Sequence, residues 1–322
     1  MTSIRWSGLV GMLGVLVGNG GCSQVDVYAI TGEPAGGAST GGASVAGGSA
    51  GEPSVQPSTC PSLALPAGDT SRTVQVGSLS RSYVLHVPPA YDGSEPVPLV
   101  VDLHGGGDTG ADELSSSPYP AVTDPEGVVM AFPDGTQGPL GNNWNLGPCC
   151  VADVDDLAFA RALVTDIERI ACIDPDRVYA VGVLAGGGMA YHLACQAADV
   201  FAAVAPAAAD LLEETVDDCR PSRPITVVSF RGTDSTRVPY EGGASSLITE
   251  MPVTFLGAEA TFERWAQIDG CTGSPSAEDS NGCSSYSTCS GGVEVILCRK
   301  QGGQEEPGDA NIAWPVLKRH PL

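Results

Sequence analysis

The sequence predicts an α/β fold: a mainly parallel sheet with helices on both faces, stabilised by disulfides. Three observations predict it. Short apolar runs bounded by Pro, Gly, Asn and Asp clusters recur along the chain, helical patterns lie between them, and ten cysteines follow Cys22.

The runs are SYVLHVP (82–88), PLVVDLHGGG (98–107), GVVMAFPDG (127–135), RVYAVGV (177–183) and PITVVSF (224–230). Several are continuously apolar, as expected of parallel strands covered on both faces. Between the third and fourth, Leu157, Ala160, Val164, Ile167 and Ala171 recur at helical spacing, predicting a helix over 155–170. Asp155 and Asp156 stand where they complement its N-terminal dipole, so the acidic cluster at 153–156 reads as a cap rather than a calcium loop. A further helix is predicted over 258–268, ahead of Cys271.

The chain has 322 residues, 42% of them apolar, which is enough for one large core. Fifteen Lys and Arg oppose 38 Asp and Glu, for a net charge of −23. Phosphate binding needs clustered cations, so no nucleic-acid partner is expected. The charge reads as solubility through self-repulsion.

Residues 1–29 read as an export signal, with Arg5 ahead of the apolar run Leu9–Val17. Two processing sites compete. One places a lipidated Cys22 after Gly20 and Gly21, a tether to a membrane surface, although Asn19 stands where that pattern prefers Leu. The other cleaves after Ala29. Residues 30–59 form a Gly/Ser/Ala-rich linker with repeated GGAS, whose r.m.s. reach is about 30 Å. Residues 60–322 form the folded domain, expected to be a monomer, exported or lipid-anchored to the cell envelope.

Ten cysteines allow five disulfides, which fits an oxidising compartment. Cys271, Cys283, Cys289 and Cys298 are expected to staple a loop-rich region. No C-x-x-C pair exists and the histidines (His86, His104, His192, His320) are scattered, so neither a metal nor a cofactor is expected.

Three stretches carry candidate chemistry. LHGGG (103–107) ends a strand, where the backbone N–H groups of Gly105 and Gly106 form half of an oxyanion hole. AVGVLAGGGMAY (180–191) is a strand-turn-helix on which a hydrolase mounts its nucleophile, with the N–H of Ala185 as the other half. In FRGTDSTRVPY (230–240), Asp234 follows a strand as a triad acid does.

With YVLHVPPAY, NNWNLGPCC, DVDDLAF, FAAVAPAAA, ERWAQIDGC and AWP in the same order, residues 60–315 resemble the secreted polyhydroxybutyrate depolymerase and feruloyl esterase family of α/β-hydrolases. That resemblance implies the α/β-hydrolase fold, carboxylic ester hydrolysis and a Ser, Asp and His triad. It also finds the triad broken. Leu184 stands at the serine of the G-x-S-x-G turn, and Ile312 stands two before Trp314-Pro315, where the family has H-x-W-P. Only Asp234 is in place. The resemblance also implies that the family continues past the position of Leu322 into a final helix, beyond this sequence.

Leucine has no lone pair and isoleucine takes no proton, so the acyl-enzyme route is closed. Leu184 and Ile312 are expected to touch, exchanging a polar contact for burial. Trp144 and Trp314 are candidates for the substrate cleft by family analogy, with buried packing as the alternative reading of each. The reading is a catalytically degenerate esterase that keeps polysaccharide or polyester binding. Two alternatives stand beside it: an active esterase with a displaced histidine and another nucleophile, and an envelope interaction protein. His320 is the histidine nearest the C-terminus, while His104 and His192 read as structural.

Overall fold

The computed structural model describes residues 60–61, 65–245, 253–305 and 307–322. The export signal, Cys22 and the linker fall on residues 1–59, outside the described residues.

Thirteen strands are described: β1 (Gly68–Val76), β2 (Leu79–Val87), β3 (Val97–Leu103), β4 (Val129–Pro133), β5 (Thr136–Gly138), β6 (Gly141–Asn143), β7 (Ile173–Val183), β8 (Ala203–Ala207), β9 (Thr226–Gly232), β10 (Gly243–Ala244), β11 (Thr254–Phe255), β12 (Cys283–Tyr286) and β13 (Val295–Lys300). The helices are α1 (Gly110–Ser116), α2 (Pro120–Thr123), α3 (Asp156–Glu168), α4 (Ala185–Gln196), α5 (Ala258–Ile268) and α6 (Ala310–Leu317).

Nine strands form one sheet in the order β1-β2-β4-β3-β7-β8-β9-β13-β12. From β4 to β13 the neighbours are parallel, and the two edges are closed by antiparallel partners. This is the expected α/β-hydrolase architecture.

Why β3 is continuously apolar follows from its two covered faces. Leu99, Val101 and Leu103 belong to a core with Phe159, Leu163 and Ile167 of α3, Met189 and Leu193 of α4, and Phe262 and Trp265 of α5. Val100 between them belongs to a second core, with Tyr179, Val181, Val228 and the α6 residues Ala313 and Trp314. Side chains alternate across a strand, so covering both faces calls for apolar residues on both, with the buried Asp102 as the exception in β3.

α3 begins as read: Asp155 caps it by accepting from the Ala158 N–H at 2.8 Å. Asp156 turns inward, pairing with Arg81 at 2.7 Å and accepting the Asn145 N–H at 2.7 Å. The helix start is thereby tied to the loop that carries Trp144. Five disulfides form, Cys60–Cys172, Cys149–Cys150, Cys195–Cys219, Cys271–Cys289 and Cys283–Cys298, and the last two staple the C-terminal region as expected.

The W-P pair, Trp314-Pro315, lies in α6. Its Asp309 cap accepts the Asn311 N–H at 2.9 Å, and Trp314 packs edge-on against Tyr179 with ring centroids 5.8 Å apart.

Candidate active site

β7 delivers the chain to a sharp turn at Leu184, the residue ahead of α4. Its backbone adopts φ 53° and ψ −116°, a left-handed conformation that an L residue reaches only under strain, costing about 1 to 3 kcal/mol. Neighbours hold it there. The Leu184 N–H donates to the Ala207 carbonyl at 3.0 Å, and its own carbonyl accepts from the Gly188 N–H at 2.9 Å.

The glycines after it are dictated by close approach. A Cβ at Gly186 would collide with the carbonyl oxygen of Leu103 at the end of β3, and one at Gly187 would lie 2.5 Å from that of Ala207. α4 therefore starts jammed between β3 and β8. The first-turn N–H of Ala185 has no partner within its helix and is left for a ligand oxygen.

The facing loop, Leu103 to Gly107, is set by His104, which is fully buried. Its Nε2 accepts the Gly135 N–H at 2.8 Å, which leaves Nδ1 to donate to the Gly105 carbonyl at 2.6 Å. Burial pushes its pKa down, so the ring is neutral and shapes the loop. Trp144 packs at a tilt against this ring, with centroids 4.9 Å apart, and donates its indole N–H to the His104 carbonyl at 3.0 Å.

Gly106, Leu184 and Ala185 meet on the wall of a cavity of about 450 Å³. The glycine loop after β3 and the turn at Leu184 thus share one cleft. Leu184 projects into an apolar cluster of Cys149, Cys150, Leu212, Val238, Val253 and Phe255, with Leu146 alongside. Its Cδ1 would lie 3.7 Å from a Cβ built on Gly105, so the side chain reaches across the oxyanion glycines. His192 also lines the cavity, and burial holds its pKa below the ordinary value.

Asp234 lies in the loop after β9, where a triad acid belongs, and is exposed. Its N–H donates to the Gly303 carbonyl at 2.8 Å. The segment beside the acid is therefore the β13–α6 loop, and the next residue in it is Gln304.

Ile312 is not in that loop. It sits in the first turn of α6 and packs with the second core, whereas Leu184 packs with the apolar cluster of the cleft. The expected pairing of these two side chains is corrected accordingly: Ile312 does not line the cavity, because the W-P pair belongs to a helix and not to a loop. The signal for Gln304 was the glycine pair Gly302-Gly303 directly after an apolar strand.

Both tryptophans are likewise corrected. Trp144 is 1% exposed beneath His104 and Trp314 is 2% exposed against Tyr179, and neither lines the cavity. Their indoles pack the protein. His320 contacts Glu294 at 3.0 Å from the C-terminal segment and is not on the cavity wall.

The family model described as esterase PHB depolymerase matches residues 81–220. Feruloyl esterase B of Piromyces equi is 40% identical over 245 residues, covering 75% of this chain and 46% of that protein. The chain thus spans less than half the length of that relative. A putative esterase, NocK, of Nocardia uniformis subsp. tsuyamanensis is 31% identical over 260 residues, covering 74% of this chain and 73% of its own. Among solved structures, an acetyl xylan esterase from Aspergillus awamori superposes with a TM-score of 0.57 at 13% identity, over 77% of this chain and 99% of that one. That likeness concerns the fold alone.

Proposed function

Since the chain belongs to the esterase PHB depolymerase family, we propose that it is an exported, catalytically silent member that binds an ester-bearing polysaccharide or polyester without cleaving it. One observation carries this reading. Leu184 occupies the strained turn that presents a nucleophile, on the wall of the cleft, with no lone pair to attack a carbonyl.

Gln304 beside the acid loop adds to it, because an amide takes no proton near neutral pH and cannot serve as general base. Binding is supported by the cavity itself, which offers about 450 Å³ beside Leu184. The feruloyl esterases among its relatives suggest the ligand's chemistry, a feruloyl ester. Five disulfides support export.

Hydrolysis of a small activated ester tests the catalytic half. Wild type is expected to give no turnover above an Asp234→Ala control. Clear excess turnover would overturn silence in favour of an active esterase with a displaced base, for which His192 is the candidate. Retention on insoluble feruloylated polysaccharide or polyester tests the binding half, and passage through both without retention counts against it.

A further inference from the structure

We propose that the Cys149–Cys150 disulfide is a recognition surface of the cleft, a sulfur platform that selects an uncharged aromatic ring over an aliphatic ring of the same size. This deepens the reading of the cleft as a retained binding site and rests on it.

The first ground is that this bridge does little as a staple. The other four close spans of 112, 24, 18 and 15 residues, whereas Cys149 and Cys150 are neighbours in sequence. A cross-link stabilises mainly by removing loop freedom from the unfolded chain, and that effect shrinks with the loop it closes. Its consequence is local.

The second ground is where that local effect falls. Both cysteines line the cavity and pack in the cluster that surrounds Leu184. Their turn is held from behind. The Leu146 N–H donates to the Cys149 carbonyl at 2.7 Å, Asn145 is bonded to Asp156, and Trp144 is bonded to the His104 carbonyl. The sulfur pair thus lies on a braced part of the cavity wall.

The third ground is chemical. Divalent sulfur is polarisable, carries no N–H or O–H donor once bridged, and gains about 0.3 to 1.5 kcal/mol against an aromatic ring. Leu146, Leu212, Val238 and Val253 complete an apolar pocket around it. Asp210 on the cavity wall is ion-paired with Arg231, and Asp218 and Arg237 on the same wall carry opposite charges, so the lining favours a neutral ligand over one of either sign.

The test compares benzyl alcohol with cyclohexylmethanol, similar in size and both neutral, by titration followed in NMR spectra. Wild type should bind the aromatic alcohol about two- to tenfold more tightly, the ratio that the sulfur–ring contact corresponds to. In Cys149→Ala/Cys150→Ala the ratio should fall to near one while both alcohols still bind. If the alanine pair disturbs the fold, Cys149→Ser/Cys150→Ser preserves side-chain volume and should give the same loss of preference. Leu184→Trp, which fills the cleft, should abolish both titrations.

A preference that survives loss of the bridge overturns the sulfur platform, as does equal binding of the two alcohols by wild type. Neither result touches catalytic silence, which ester turnover decides separately. Failure of both alcohols to bind overturns the platform together with the retained small-ligand site.

Discussion

The backbone N–H of Asp234 donates to the carbonyl of Gly303 at 2.8 Å, which ties the acid loop to the segment after β13 and not to α6. In a Ser, Asp and His triad the base must lie within hydrogen-bond reach of its acid. The residue next to that tie is Gln304, and this makes a prediction about repair. Leu184→Ser/Gln304→His should hydrolyse p-nitrophenyl acetate about 10² to 10⁴ times faster than Leu184→Ser alone, the usual contribution of a general base. Leu184→Ser/Ile312→His should match the single variant, and a reversed order would return the histidine position to Ile312.

Strain at Leu184 makes a second prediction. Alanine is ordinarily better than glycine, but at φ 53° the Cβ is the source of the cost. Leu184→Ala loses packing and keeps the strain, whereas Leu184→Gly loses packing and releases it. Urea unfolding should therefore find the glycine variant more stable than the alanine variant by about 1 kcal/mol or more. The opposite order would mean that the turn is not strained.

Two buried acids on the face away from α4 set a pH dependence. Asp102, 2% exposed at the end of β3, accepts the Ser117 hydroxyl at 2.5 Å, yet burial pushes its pKa up to about 7. Burial, and then the charge on Asp102, pushes Glu113 up to about 8. The folded state therefore keeps protons that the unfolded chain releases near pH 4, and stability falls as pH rises from about 4 to 8. Each retained proton contributes a slope of about 1.4 kcal/mol per pH unit. Asp102→Asn should flatten the decline in urea midpoints across that window relative to wild type, and an unchanged slope would place the proton elsewhere.

Much of the sheet was legible because strands buried on both faces read as continuous apolar runs, as four of them do, while β2 read from its alternation. β8 was not, since AVAPA combines weakly strand-forming alanine with Pro206, and only its neighbours β7 and β9 hold it in line. α6 was hidden by Pro315 inside it and by the W-P pair, which reads as loop. Its burial against Tyr179 overrides that local signal. In the cleft, the missing serine was visible from the surrounding glycines, because the close approach of α4 to β3 demands them. What one sequence could not reveal was that the Asp234 loop is tied to Gly303, since that depends on where β13 ends, nor that Cys149 would pair with its own neighbour.

The most direct measurement is intact mass spectrometry of wild type and Leu184→Ser after brief exposure to p-nitrophenyl acetate. If the turn keeps its nucleophile-presenting geometry and lacks only the nucleophile, the variant should carry one acetyl group on residue 184 while wild type stays unmodified. A serine variant that remains unacylated, or an acylated wild type, would contradict the account.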